Sequence, residues 1–314
     1  MEREAPDLET IKHQLMSLNR PKKPKMLVVD DEPDNLDLLY RTFRRNFNVF
    51  KAESGVRALE VLEAEGEVAV IISDQRMPEM KGTEFLSKTV GSFPNTVRII
   101  LTGFTDIEDL VEAINSGQVY KYITKPWDPN ELKTVVQKAA DAYELLNQRT
   151  AELQHAQDQT QLLARIMQIS QELDSLEASL QSMATVIGEY FEADVCILQQ
   201  IADNTLTATV GTYTNEGTAD NWLADDPLVQ EALSSKSLQA AVNIPRDQAV
   251  AEVEHYKTSD IKAHIAVPVS FRDQNLALLS LQWKQPCSRS PEDIDSLNMV
   301  AVTIALVLLS FNLA

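Results

Sequence analysis

At 314 residues the chain has room for about two domains, and an apolar fraction of 44% supplies side chains for two cores. Its 47 acidic residues against 28 basic ones leave a net charge of −19, which repels phosphate backbones and anionic lipid and argues against nucleic acid or a membrane surface as a partner. The two cysteines, Cys196 and Cys287, have no disulfide-framework or metal-site spacing and fit a reducing cytoplasm, and no apolar secretory segment opens the chain.

Residues 7–19 carry Leu8, Ile11, Leu15 and Leu18 at helical spacing and predict a short amphipathic helix that covers an apolar patch. The run from Arg20 to Lys25 is basic but broken by prolines, so it reads as a solvated linker; the whole segment 1–24 stands apart from the first domain. From residue 26 strand and helix alternate five times. The predicted strands are Met26 to Val29, Val49 to Ala52, Val68 to Ser73, Val97 to Leu101 and Tyr120 to Ile123. The helices between them carry Leu36, Leu38, Leu39, Tyr40 and Phe43, then Val56, Leu59 and Leu62, then Phe85 and Leu86, then Ile107, Leu110, Val111 and Ile114. A fifth helix starts near Pro129. Such alternation means right-handed βαβ units and a parallel sheet covered on both faces, here a flavodoxin-like doubly wound domain over 25–140.

The strand ends carry the chemistry. The first ends on Asp30-Asp31, the third on Asp74, the fourth on Thr102 and the fifth on Lys125. In a parallel sheet these ends share one edge, so three carboxylates, a hydroxyl and an ammonium converge. Carboxylates this close repel unless a cation sits among them, and an oxygen-only site with room for water suits Mg²⁺. Asp74 would then be a nucleophile toward a phosphoryl group, with Lys125 pairing its oxygens and Thr102 donating to one. Acidic strand ends can also be merely solvated, but that account leaves Thr102 and Lys125 unexplained.

With Asp30-Asp31, Asp74 followed by Met77-Pro78 and Gly82, Thr102-Gly103, and Tyr122 three residues before Lys125-Pro126, the segment 25–140 resembles the receiver (CheY-like) domain of bacterial two-component response regulators. The resemblance implies that Asp74 takes phosphate from a histidine kinase, and that the backbone carbonyl of Arg76 joins Asp30, Asp31 and Asp74 around Mg²⁺. It implies that Thr102 and Tyr122 shift together and alter the face made by the fourth helix, fifth strand and fifth helix. It also implies a cis peptide before Pro126. Arg76 and Phe104 stand where the family tunes the lifetime of the phosphoryl group.

No Pro or Gly occurs from Glu131 to Leu180. Ala139, Tyr143, Leu146, Thr150 and Leu153 keep a 4-3-4-3 spacing, and Ile166, Ile169, Leu173, Leu176 and Leu180 resume it after a slip near Leu162-Leu163. This predicts a coiled-coil signalling helix over 141–175, with Leu146, Leu153, Ile166, Ile169, Leu173, Leu176 and Leu180 as the seam of a parallel homodimer.

Beyond it, 176–314 predicts an α+β domain with an antiparallel sheet. Asp194 to Ile201 and Leu206 to Tyr213 form a hairpin, Leu228 to Leu233 a helix, and Ser237 to Val242 a strand. Ile265 to Phe271 and Leu276 to Trp283 are a second strand pair, and a helix runs from Pro291 to the end. Ile265-Ala266-Val267-Pro268-Val269, Leu276 to Leu281 and Pro291-Glu292-Asp293-Ile294 resemble a GAF domain. That family includes domains that bind nucleotides or bilins and domains that only dimerise, so a ligand is left open. Neither cysteine has the neighbouring histidine of a bilin attachment site, so no chromophore attachment is expected, and His255 and His264 are too isolated to argue for metal. The apolar run Val300 to Leu309 reads as a buried helix rather than a membrane span. The expectation is a cytoplasmic, non-enzymatic phosphorelay regulator acting through protein contacts on an unknown downstream protein; the alternative is a sensor whose GAF domain binds a small molecule while the receiver modulates it.

Overall fold

The computed structural model describes residues 8–18, 23–103, 118–173, 175–247, 250–287 and 289–312. The helix expected around Ile107, Leu110, Val111 and Ile114, and Phe104 before it, lie outside the described residues. The chain divides into two compact units, one formed by 21–154 and the other by 1–20 together with 155–314.

In the unit 21–154 the strands are β1 (Lys25–Val29), β2 (Asn48–Ala52), β3 (Val70–Asp74), β4 (Val97–Thr102) and β5 (Lys121–Thr124). All pair in parallel in the order β2-β1-β3-β4-β5, the flavodoxin-like order. Strands β3 and β4 are buried along their whole length, as expected of a sheet covered on both faces. The period of two divides their side chains. Met26, Val28, Val70, Ile72, Ile99 and Leu101 pack on one face, and Leu27, Val29, Ile71 and Ile100 on the other. Helices α2 (Pro33–Phe43), α3 (Gly55–Glu65) and α4 (Gly82–Thr89) supply the covering apolar faces, with Pro33 opening α2 and the Ser54 hydroxyl capping α3 by accepting from the Arg57 N–H.

Helix α5 (Pro129–Glu172) begins in this unit and continues into the second. The seam spacing runs on to Leu180 in the sequence, but one helix does not carry all of it. The helix ends at Glu172, and α6 (Leu176–Tyr190) starts afresh behind Ser175, whose hydroxyl accepts from the Ala178 N–H. The chain turns there because Leu180, Met183, Ala184 and Ile187 are drawn onto a sheet.

That sheet is antiparallel, in the order β7-β6-β10-β9-β8, from β6 (Val195–Ala202), β7 (Thr205–Thr214), β8 (Gln239–Ala241), β9 (Ala263–Phe271) and β10 (Gln274–Trp283). Asp203 and Asn204, both at positive φ, make the two-residue turn between β6 and β7. One face carries α6 and α9 (Pro291–Asn312); the other carries α7 (Pro227–Ser235), the short α8 (Glu254–Thr258) and Leu223. Helix α6 rides so close over edge strand β7 that a Cβ at Gly211 would stand 2.1 Å from the Leu180 carbonyl oxygen. Gln181 pairs with both the N–H and the carbonyl of Thr212, covering part of that edge.

Helix α1 (Leu8–Leu18) belongs to this second unit, although a whole α/β unit separates the two in sequence. Ile11 and Leu15 are fully buried in the core that holds Leu162, Ile166 and Ile169, and the Lys12 ammonium sits 2.8 and 3.0 Å from the two carboxylate oxygens of Asp295 on α9. This changes the meaning of the seam. Ile166, Ile169 and Leu180 are buried inside their own chain, and Leu173 and Leu176 are packed against the same core. Ile166, Ile169 and Leu180 are therefore not free to pair with a second copy, whereas Leu173 and Leu176 keep part of their surface. Only Leu146 and Leu153, 47% and 68% exposed, keep the outward placement the seam requires. Helix α9 is long and apolar enough by composition to cross a membrane, so length does not set it apart from a span; Ile294, Leu297, Val300, Ile304 and Leu308 are instead buried on the sheet side, and Met299, Val302 and Leu306 are exposed.

Because Ile11 and Leu15 fill core space, truncating either to Ala should cost about 2–5 kcal/mol in the second unit and leave the unit 21–154 unchanged. Denaturant unfolding followed separately at Trp127 and at Trp222 with Trp283, by replacing the other tryptophans, checks this; equal loss in both units would contradict the assignment of α1.

Candidate functional site

Parallel register gathers the strand ends. Val29 pairs with Ser73, Asp74 with Leu101, and Thr102 with Thr124, so Asp30, Asp74, Thr102 and Lys125 lie at one edge. Asp30 is 1% exposed and Asp74 6%. The Lys125 ammonium stands between them, 3.1 Å from Asp30 Oδ2 and in direct contact with Asp74 Oδ1. The peptide Lys125-Pro126 is cis, and the Lys125 N–H donates to the Thr102 carbonyl at 2.7 Å.

Asp74 is held by its own turn. Its Oδ2 accepts from the Arg76 N–H at 2.7 Å. Gln75 donates its N–H to the Leu101 carbonyl, and its side chain accepts from the Thr83 N–H at the start of α4. Only glycine fits at 82, since a Cβ there would come 2.2 Å from the Asp74 carbonyl oxygen. On the other side Asp30 Oδ1 accepts from the Glu32 N–H at 3.0 Å, and Asn35 Nδ2 reaches both Asp30 oxygens at 3.1 and 3.2 Å.

Burial pushes the Asp74 carboxyl above the ordinary carboxylate range, more than the Lys125 ammonium and the Arg76 N–H pull it down. Burial also opposes the charge on Lys125, but Asp74 and Asp30 outweigh it and raise its pKa. The site thus carries a desolvated carboxylate whose neutralising charge comes from one flexible lysine.

Other expected residues are placed differently. Asp31 is exposed, and among the described residues no group of three or more His, Cys, Asp or Glu side chains is gathered for a metal. Thr102 is buried, with its hydroxyl on the neighbouring Gly103 carbonyl. Tyr122, on β5, is 37% exposed. Asn35, Gln75 and Thr83 were not marked by sequence, because they have no fixed spacing from the acidic strand ends: Asn35 lies one turn of helix beyond Asp31, Gln75 directly follows Asp74, and Thr83 reaches Gln75 only through the turn that Gly82 closes.

The second unit holds a polar chain that sequence did not reveal. Asp226, fully buried, caps α7 through the Val229 N–H and pairs with His255 Nε2 at 2.6 Å, while Trp222 stacks on that imidazole at 4.0 Å. The Tyr256 hydroxyl meets His264 Nδ1 at 2.6 Å, and His264 Nε2 meets Ser280 Oγ at 2.9 Å. Burial pushes His264 down to about 4, so it is neutral at pH 7. Both thiols are buried with raised pKa values, Cys287 at about 11, which makes poor nucleophiles of them.

A five-stranded parallel sheet of this order, with an aspartate pair, a lone aspartate and a lysine at one edge, defines a receiver-type protein. Residues 26–137 match the response regulator receiver domain and 175–308 match the GAF domain. The hydrogenase transcriptional regulatory protein HoxA of Cupriavidus necator is 40% identical over 121 residues, 38% of this chain and 25% of that protein. The chemotaxis protein CheY1 of Helicobacter pylori is 34% identical over 113 residues, 35% of this chain and 90% of that one. A crystal structure described as adenylate cyclase from Rhodopirellula baltica is 33% identical, with TM-score 0.41, and covers 42% of this chain and 98% of its own. The chain belongs to the response regulators, with a receiver domain followed by a GAF domain. It spans about a quarter of the length of the hydrogenase regulators it matches.

The two buried titrations act in opposite directions. A raised Asp74 value means that ionising this group costs native stability as pH rises, so Asp74→Asn should stabilise the receiver unit at pH 7.5, with the gain shrinking as pH is lowered through the raised value. His264, depressed below 6.5, supports its unit above that value and should cost it stability as pH falls below, because the unfolded chain takes up a proton the native imidazole refuses. Denaturation midpoints of both units between pH 4.5 and 7.5 check both signs.

Proposed function

We propose that Asp74 is the phosphoacceptor of a phosphorelay, taking its phosphoryl group from a histidine kinase. The observation that carries this reading is the Lys125 ammonium shared by two buried carboxylates at the carboxyl edge of a parallel sheet. An Asp74 oxygen attacks phosphorus as the bond to the donor's imidazole nitrogen breaks. Lys125 then moves from carboxylate to phosphoryl oxygen, and the Thr102 hydroxyl turns from the Gly103 carbonyl to donate to another. The Arg76 N–H keeps Asp74 Oδ2 fixed, leaving Oδ1 as the reacting oxygen.

The donor set fits Mg²⁺. Asp30 and Asp74 offer hard oxygens, Arg76 a backbone carbonyl in the same turn, and exposed Asp31 an acidic side chain at the rim; the ammonium between the two buried carboxylates marks where positive charge is needed. When bound, the ion supplies charge neutralisation for the incoming phosphoryl oxygens. The loosely gathered carboxylates suit an ion that keeps several waters.

The signal leaves through β5, with Tyr122, and through α5, which runs from the receiver unit into the GAF unit without a break. The outward Leu146 and Leu153 are the positions at which a second copy would meet this helix. Receiver, linker and output occupy about 25–140, 141–175 and 176–314. The chain is a cytoplasmic signalling protein whose output is contact with another protein, and its own chemistry is limited to gaining and losing the phosphoryl group.

Incubation of the full chain with a radiolabelled small acyl phosphate and Mg²⁺ should give one acid-stable, base-labile label per chain. Chelation of the metal or Asp74→Asn should abolish it. Undiminished label in the Asp74→Asn variant would sink the assignment.

A further inference from the structure

Asp30 accepts from three groups, and one of them, the Asn35 side chain, reaches both of its oxygens. Asn35 Nδ2 lies 3.1 and 3.2 Å from the two oxygens of Asp30 and 3.3 Å from Glu32 Oε2. With the Glu32 N–H on Oδ1 and the Lys125 ammonium on Oδ2, Asp30 has three donors around four lone-pair directions. Two of these donors are fixed by the first turn of α2, which Pro33 opens. The third, Lys125, rides on a flexible stem and is itself shared with Asp74.

We infer that Asn35 is a positioning residue for cation binding: its amide locks the plane of the Asp30 carboxylate so that Oδ2 keeps facing Asp74 when Lys125 withdraws. The same amide lies within hydrogen-bond reach of the Asp30 and Glu32 carboxylates and joins two like charges without adding a third. An aspartate at this place would keep the size, lose the donor and set a charge against Asp30. A leucine would keep the approximate volume and lose the donor alone. The inference rests on the reading of Asp30 as a metal ligand, and deepens it.

Mg²⁺ titration by calorimetry on the full chain separates the two ideas. Native protein should bind, and Asp30→Ala should lose that site. Asn35→Leu should bind about tenfold more weakly, the usual cost of removing a group that orients a ligand. Asn35→Asp should also bind more weakly in spite of its added negative charge. An Asn35→Leu affinity within twofold of native, or tighter binding by Asn35→Asp, would overturn the positioning role while leaving Asp30 as a ligand. If Asp30→Ala binds Mg²⁺ as native protein does, the metal site itself is elsewhere and both ideas fall.

Discussion

The ammonium of Lys125 between Asp30 and Asp74 is the interaction on which the receiver unit turns. Two carboxylates that are almost fully buried cost several kcal/mol each in lost hydration, and their mutual repulsion adds to that. A single lysine just past the end of β5 offsets the charge, and the N–H groups of Arg76 and Glu32 and the Asn35 side chain take up further lone pairs. The raised pKa of Asp74 shows that the compensation is partial. A partly compensated carboxylate suits the phosphoacceptor role proposed for it, because a doubly charged phosphoryl group there would rewrite the local balance of charge.

The GAF unit solves its polar problem in another way. Its buried groups are neutral or paired among themselves: Asp226 with His255 and a helix N-terminus, His264 with a tyrosine and a serine. Nothing in that chain is left short of charge as Asp74 is. This unit is also closed in sequence by an unexpected route, since α1 packs on its core from the far side of the receiver in the chain. The receiver is therefore joined to the rest of the protein covalently at both ends, by the short basic stretch after α1 and by α5.

Much of the receiver is legible in the order of its residues, for a physical reason. In β1, β3 and β4 almost every side chain is buried, so the strands appear as apolar runs, and the polar residue that ends each run must lie at the common edge of a parallel sheet. Asp30, Asp74, Thr102 and Lys125 followed from that logic alone. The strand pairs of the second domain were legible likewise, as runs rich in apolar and β-branched residues separated by short polar stretches.

Periodicity does not say whose surface an apolar stripe will meet. Ile166, Ile169 and Leu180 carry the spacing of a coiled coil, yet their partners are Ile11, Leu15 and their own sheet, because an intramolecular core satisfies the same stripe. Asn35 escaped notice because its role depends on the α2 turn bringing an amide back onto a carboxylate five residues earlier. His255 and His264 looked isolated because their partners, Asp226 and Ser280, lie 29 and 16 residues away. The amino-acid sequence by itself determined the two domain types, the sheet edge and the chemical character of its residues, since these follow from local burial patterns. Tertiary structure alone decided which side chains orient Asp30 and Asp74, where α5 ends and what covers its apolar face, since these depend on contacts between segments far apart in the chain.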